Sequence, residues 1–248
     1  MKATRSKFAK GMLALDHCIR SPGLARAALA NLYNARIVDS GRIQSVSMAE
    51  LIGQVSEVRL VDFVPEHGNL TAFELLSLCS LVRAFAPRQV LELGTFNGNT
   101  TLQIAANLER GARIATLDLP VGATPAEAND EHDARLIHDS AREQPRYRKS
   151  NYSERVQQLY GNSLETDFSV LTPVPPDFIF IDAGHSDECV RNDTEKSMAV
   201  LAPGGCIAWH DYSQDWPDVF NFLNDLAARR TLRHIRGTSL VVYRDTQA

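Results

Sequence analysis

The chain has 248 residues with a formal net charge of −4, 44% hydrophobic and 23% charged. That length supports one well-buried α/β core and leaves little room for a second large domain, and the composition excludes a disordered or fibrous chain. The mild negative charge gives no global pull toward nucleic acid or an anionic membrane, so neither is expected as a partner. A local basic group, Arg142, Arg146, Arg148 and Lys149, is diluted by Asp139 and Glu143 and reads as a solvated loop. Cys18, Cys79, Cys189 and Cys206 match no metal-ligand spacing. The last three read as buried thiols, which suits a reducing cytoplasm. No apolar run approaches the roughly 20 residues that span a bilayer, and Met1-Lys2-Ala3-Thr4-Arg5 is not followed by a signal-peptide stretch.

In chain order, Phe8, Met12, Leu15 and Ile19 recur at helical spacing, Ser21-Pro22-Gly23 interrupts, and Leu24, Ala28 and Leu32 resume it. Residues 1–65 are therefore expected as a helical preface, and 66–248 as the main unit. The preface would cover a sheet face or a partner subunit, which leaves a homo-oligomer open. Thr71-Ala72-Phe73-Glu74 is a capping box opening a helix over Leu75 to Phe85, stopped by Pro87. Strands at Gln89 to Leu93, Arg113 to Asp118, Val156 to Tyr160, Phe178 to Asp182 and Cys206 to His210 alternate with helices at Asn99 to Leu108 and Asp187 to Leu201. Apolar strands separated by helices imply a parallel sheet covered on both faces. Leu232 to Arg236 and Leu240 to Arg244 flank Gly237-Thr238-Ser239, too close for a helical crossover, and must pair as a hairpin or meet at a sheet edge. The polar stretch from Pro120 to Tyr152 leaves the carboxyl end of a strand, where insertions often become lids.

In Gln89-Val90-Leu91-Glu92-Leu93-Gly94-Thr95-Phe96-Asn97-Gly98-Asn99-Thr100-Thr101 an apolar strand runs through a glycine turn into a helix, whose amino end offers amides to an anionic group. A dinucleotide fingerprint requires Gly-x-Gly-x-x-Gly; here three residues separate Gly94 from Gly98 and an acidic Glu92 precedes them. That pattern resembles motif I of the class I S-adenosylmethionine-dependent methyltransferases. Asp118 matches the acidic strand end that grips the ribose hydroxyls in that family, and a carboxylate suits two adjacent hydroxyl donors. Gly161-Asn162-Ser163 is similar to the segment that meets the adenine, and Leu201-Ala202-Pro203-Gly204-Gly205 to the turn before strand five. The resemblance spans about residues 66 to 244. It implies a doubly wound, Rossmann-like, seven-stranded sheet, mostly parallel with an antiparallel strand near the C-terminus. It also implies S-adenosyl-L-methionine as cofactor, with Glu92, Gly94, Thr95, Phe96, Gly98, Asp118, Leu119, Asn162, Ser163 and Asp182 around it.

Asp182 and Asp211 end strands that are neighbours in such a fold, and two converging carboxylates favour a hard divalent cation such as Mg²⁺. The arrangement looks like the metal-dependent small-molecule O-methyltransferases of catechol type. Those place an asparagine directly after the second aspartate, where this chain has Tyr212, so His210 becomes the candidate third ligand. His210 resembles the position at which sugar-methylating relatives carry an acidic pair, and as a histidine it favours a borderline metal. His185 stands where the catechol type has a basic lysine, and its imidazole can take an acceptor proton or else line the adenine pocket. Asp182 and His185 are thus the catalytic candidates. His67, in Glu66-His67-Gly68-Asn69, is a weaker base candidate. Trp209, Trp216 and Tyr212 either shape an acceptor pocket or belong to the core. Methylation of a small-molecule hydroxyl is the reading these residues favour. A metal-dependent hydroxylase resembling the cephalosporin hydroxylases, or a non-catalytic binding module, remain the alternatives.

Overall fold

The computed structural model describes residues 41–54, 57–66, 68–120 and 144–245. The helical preface over residues 1–36, His67, and residues 121–143 of the long polar stretch lie outside the described residues.

Five strands carry the centre: β2 (Gln89–Leu93), β3 (Arg113–Asp118), β4 (Val156–Tyr160), β5 (Phe178–Ile181) and β6 (Cys206–Trp209). β2, β5 and β6 are buried along their whole length, as expected of strands covered on both faces. β7 (Leu232–Ile235) and β8 (Val241–Arg244) pair antiparallel, and β8 closes antiparallel onto β6. The expected hairpin is therefore present, and it inserts into the sheet rather than standing apart. The sheet has eight strands in the order β1-β7-β8-β6-β5-β2-β3-β4, one more than the seven implied by the family resemblance. The additional strand is β1 (Ser45–Val46), parallel to β7, in a segment whose sequence carries no strand signal.

Each helix starts on a local device. α1 (Met48–Ile52) and α2 (Ala72–Phe85) open on capping boxes, Ser47 with Glu50 and Thr71 with Glu74, each hydroxyl accepting from the third helical amide. α2 ends at Ala86 in the left-handed region before Pro87. α3 (Asn99–Asn107) follows the glycine turn, and α4 (Asp187–Val200) is capped by Ser186. α5 (Pro217–Leu226) begins with proline in its first turn and buries Val219, Phe222, Leu223 and Leu226, one helical face. The core runs through α2, α3 and the central strands, with Leu75, Leu78, Leu81, Val90, Ile104, Phe178 and Phe180 fully enclosed. Cys79, Cys189 and Cys206 are buried. Among the described residues no helix is long and apolar enough to cross a membrane.

The topology places the site. From β2 the chain moves outward through β3 to β4, then returns to β5 on the other side of β2 and moves the opposite way. The carboxyl ends of β2 and β5 thus border a topological switch point, where open α/β sheets bind ligands.

His234 locks the far edge. Its Nδ1 lies 3.0 Å from Ser45 Oγ on β1 and its Nε2 lies 2.7 Å from the Thr238 carbonyl. Nε2 therefore donates and Nδ1 accepts, a neutral tautomer, and burial lowers the pKa from 6.5. A depressed folded-state pKa means the stabilisation is complete above the unfolded value and is lost as pH falls through the folded value. His234→Gln is therefore expected to show a smaller loss of urea stability between neutral and mildly acidic pH than the parent chain.

Candidate functional site

Leu93 pairs with Leu117 and with Ile181, and Ile181 with Trp209, so the residues after these four strands emerge along one edge. Gly94 lies at φ +91°, and a Cβ there would stand 1.9 Å from the Asp182 carbonyl oxygen. The Gly94 amide donates to the Leu117 carbonyl and the Asp182 amide to the Leu93 carbonyl, both at 2.9 Å. The glycine is therefore required by the approach of β5 to the turn. Gly98, at φ +73°, is similarly required, because a Cβ would come within 2.9 Å of Pro145 Cβ and of Tyr147 Cδ1.

Asp118 faces the turn. Its Oδ2 accepts from the Phe96 amide at 2.9 Å and its Oδ1 from the Leu119 amide at 2.8 Å. Phe96 holds φ 48°, a left-handed conformation uncommon for an aromatic residue, which directs that amide to the carboxylate. Burial pushes Asp118 up to about 6 against the pull of its amide donors. Glu92 is fully buried; Thr101 Oγ1 donates to its Oε2 at 2.5 Å. Its Oε1 has no hydrogen-bond partner among the described residues. Burial, with the neighbouring charges of Asp182 and Asp118, pushes its pKa up to about 8. Asn99, at the start of α3, is buried with neither amide atom partnered among the described residues. Such orphaned groups at a helix start suit a polar ligand.

The turn is braced from beneath. Thr95 Oγ1 lies 2.7 Å from Thr116 Oγ1 and accepts from Gln158 Nε2 at 3.0 Å, while Tyr147 donates to Gln158 Oε1 at 2.6 Å. Asn162 and Ser163 follow β4, whose Tyr160 pairs with Asp118. Lys196 Nζ donates to the carbonyls of Ser163, Leu164 and Thr166 at 2.7, 2.9 and 3.0 Å and so shapes that segment.

A second cluster lies past β5 and β6. His210 Nδ1 is 3.0 Å from Asp182 Oδ1 and 3.1 Å from Asp211 Oδ2. His185 Nε2 is 2.9 Å from the same Asp211 oxygen, and its ring stacks on Trp216 at 3.7 Å. On the other side of His210, Nε2 lies 3.6 Å from Glu74 Oε1. Burial opposes charge on His210, yet the Asp211 and Asp182 carboxylates hold its pKa well above that of an ordinary imidazole. Burial likewise opposes charge on Asp211, but His210 and His185 hold it well below the usual carboxylate range. Asp211 sits at φ 63°, strained for a non-glycine residue, which turns its side chain back toward His185 and His210. One atom each of Asp182, His210 and Asp211 lies within 4.8 Å of the others, a donor set able to hold a cation.

The strands thus bring two predicted groups to one edge: Glu92, Gly94, Phe96 and Asp118 at the turn, and Asp182, His185, His210 and Asp211 beyond it. Trp209 and Tyr212 are core residues, Tyr212 donating to Asn224 Oδ1 at 2.9 Å. Glu74 is a member that sequence reasoning saw only as a helix cap. Its Oε2 serves Thr71, while Oε1 accepts from the Ser239 amide and hydroxyl at 2.9 Å and faces His210. Those partners are far away in sequence and leave no local signal.

Residues 91–212 match a family model described as a methyltransferase domain. The O-methyltransferase TomG of Streptomyces achromogenes, involved in tomaymycin synthesis and solved with S-adenosylmethionine, superposes with TM-score 0.52 at 18% identity, over 71% of this chain and 81% of that one. An O-methyltransferase of Bacillus cereus solved with S-adenosylhomocysteine gives 0.50 at 20% identity, over 72% and 84%. An S-adenosylhomocysteine-bound methyltransferase of Podospora anserina gives 0.52 at 17% identity, over 73% and 81%. At these identities the likeness is one of fold. The fold of the described residues is the one these methyltransferases share.

Gly94→Ala combines a left-handed backbone with a clash against a main-chain oxygen. It is expected to cost more than about 2 kcal/mol in chemical denaturation, beyond the roughly 1–2 kcal/mol of the backbone conformation alone.

Proposed function

We propose that the protein transfers the methyl group of S-adenosylmethionine to a hydroxyl of a small molecule. The supporting observation is that a glycine turn faced by Asp118 and a cluster of two carboxylates with two imidazoles emerge side by side at the switch point. In this reading Asp118 meets the ribose hydroxyls, and Asn162 and Ser163 border the adenine. The amino end of α3, with Thr95, Gly98 and the unpartnered Asn99, faces the amino-acid tail.

Methyl transfer from a sulfonium is an in-line displacement. The protein must align the acceptor oxygen and remove its proton. His185 is placed for that second task. Asp211 holds its Nε2 and stabilises the imidazolium that forms, as a carboxylate does for a general-base histidine, while stacking on Trp216 limits rotation of the ring. Asp182, Asp211 and His210 would hold a divalent cation, which supplies charge that lowers the pKa of a bound hydroxyl. The net charge of −4 supports a small acceptor over nucleic acid, and the buried cysteines support a reducing, cytoplasmic setting.

Calorimetry with S-adenosylhomocysteine tests the cofactor reading. Binding is expected for the parent chain, weakened at least about tenfold in Asp118→Ala as two hydroxyl partners are lost. Absence of binding by the folded parent chain would overturn the assignment. His185→Ala is expected to lower kcat by about 10²–10⁴-fold while leaving S-adenosylhomocysteine affinity unchanged.

A further inference from the structure

His210 is not held like a surface histidine. One ring nitrogen faces two carboxylates, Asp182 and Asp211, at 3.0 and 3.1 Å; the other faces a third, Glu74, at 3.6 Å. Glu74 cannot follow the ring, because four further bonds fix it: the Thr71 amide and hydroxyl to Oε2, and the Ser239 amide and hydroxyl to Oε1. A fixed carboxylate behind an imidazole is the usual means of setting the tautomer and direction of a metal-ligating histidine. Nε2 faces Glu74 just beyond hydrogen-bonding distance, and a proton on that nitrogen would leave the Nδ1 lone pair facing two anionic oxygens. A proton on Nδ1 or a cation shared with both oxygens relieves that juxtaposition, and three donor atoms converging on one space suit the cation. Neighbouring ligands of a small divalent ion, each bonded at about 2.1 Å, stand about 3 Å apart, which is the spacing of Nδ1 from each carboxylate oxygen. Tyr212, at the position where an oxygen ligand would complete an all-oxygen set, is buried and bonded to Asn224.

We propose that Glu74, His210, Asp182 and Asp211 form a carboxylate–imidazole–metal site. His210 Nδ1 is a direct nitrogen ligand, Glu74 is its positioning residue, and the occupant is a borderline divalent cation of the Mn²⁺ to Zn²⁺ series rather than Mg²⁺. This deepens the cation-assisted reading of the same site. Imidazole suits the transition ions, whereas Mg²⁺ is served by carboxylates and water, so one nitrogen among three protein ligands shifts the preference. His185 is outside the ligand set, bonded to the outer side of Asp211 Oδ2, and keeps its part in proton transfer.

The test uses the full chain stripped with chelator and loaded with Mn²⁺, read by pulsed electron paramagnetic resonance and by calorimetry. A directly bound imidazole nitrogen is expected in the parent chain and in His185→Ala, and is expected to vanish in His210→Asn. The ratio of Mn²⁺ to Mg²⁺ affinity is expected to fall in His210→Asn, where an amide oxygen can replace the nitrogen. Glu74→Gln is expected to weaken Mn²⁺ about 10–100-fold. Should that variant fail to fold, since Glu74 also anchors Thr71 and Ser239, the His210→Asn comparison decides alone. A chain that binds S-adenosylhomocysteine but no stoichiometric Mn²⁺ would overturn the metal site and leave the methyltransferase reading intact. A nitrogen signal that survives in His210→Asn would overturn the ligand assignment. Mn²⁺ bound through nitrogen by a chain that ignores S-adenosylhomocysteine would uphold the site and remove the function proposed above.

Discussion

The site depends on a contact between two main chains. β2 and β5 run in register to Leu93 and Ile181, and the next residues must part, one into a turn toward α3 and the other toward the loop before α4. The turn can stay against the end of β5 only because residue 94 has no side chain, the Asp182 carbonyl filling the space a methyl group would need. Two hydrogen bonds, one to each flanking strand, hold it there. Asp118 then completes the turn by accepting the Phe96 amide. A few ångströms of close approach therefore place the glycine turn and the carboxylate–imidazole cluster on one edge. In-line transfer between two bound groups requires this, because small misplacements cost large factors in rate.

The same closeness creates an electrostatic load. Burial, with the charges of Asp182 and Asp118 nearby, pushes Glu92 up to about 8, and burial pushes Asp118 up to about 6. Near neutral pH the fully buried Glu92 is mainly a neutral acid that stays inside the core, while Asp118 is mainly ionised and accepts two amides. Past β5 the balance is opposite in kind. There the raised pKa of His210 and the lowered pKa of Asp211 describe charges that compensate one another in place. The two halves of the edge thus differ in protonation although both are built from strand-end acids.

What the sequence makes legible follows from how local each cause is. β2, β5 and β6 are buried along their whole length and mostly apolar, so their bounds agree with expectation to within about a residue, as does the capping box of α2. β1 has two residues, too few to show any period, and exists because β7 offers an edge and His234 reaches across to Ser45. α5 does carry a signal, a proline in its first turn and an apolar face of Val219, Phe222, Leu223 and Leu226; the turn-rich stretch before it obscures the pattern. Of the site, Gly94, Asp118, Asp182 and Asp211 are visible because they stand at strand ends in a fixed order. The glycine's reason is not visible, since the atom that excludes a side chain belongs to Asp182.

Glu74 shows most clearly how one residue can satisfy a local rule and a distant one at once. Its two carboxylate oxygens separate the tasks: Oε2 closes the capping box, and Oε1 reaches Ser239, 165 positions on, and faces His210. The cap therefore does more than start a helix. By anchoring α2 to the turn between β7 and β8, it makes the position of the Glu74 carboxylate depend on the whole antiparallel end of the sheet. That end thereby bears on the carboxylate that faces His210. A carboxylate supported only by α2 would shift as the helix start frays, and the imidazole would follow it. Tying it to the hairpin removes that freedom, so the C-terminal strands help fix the carboxylate that faces His210.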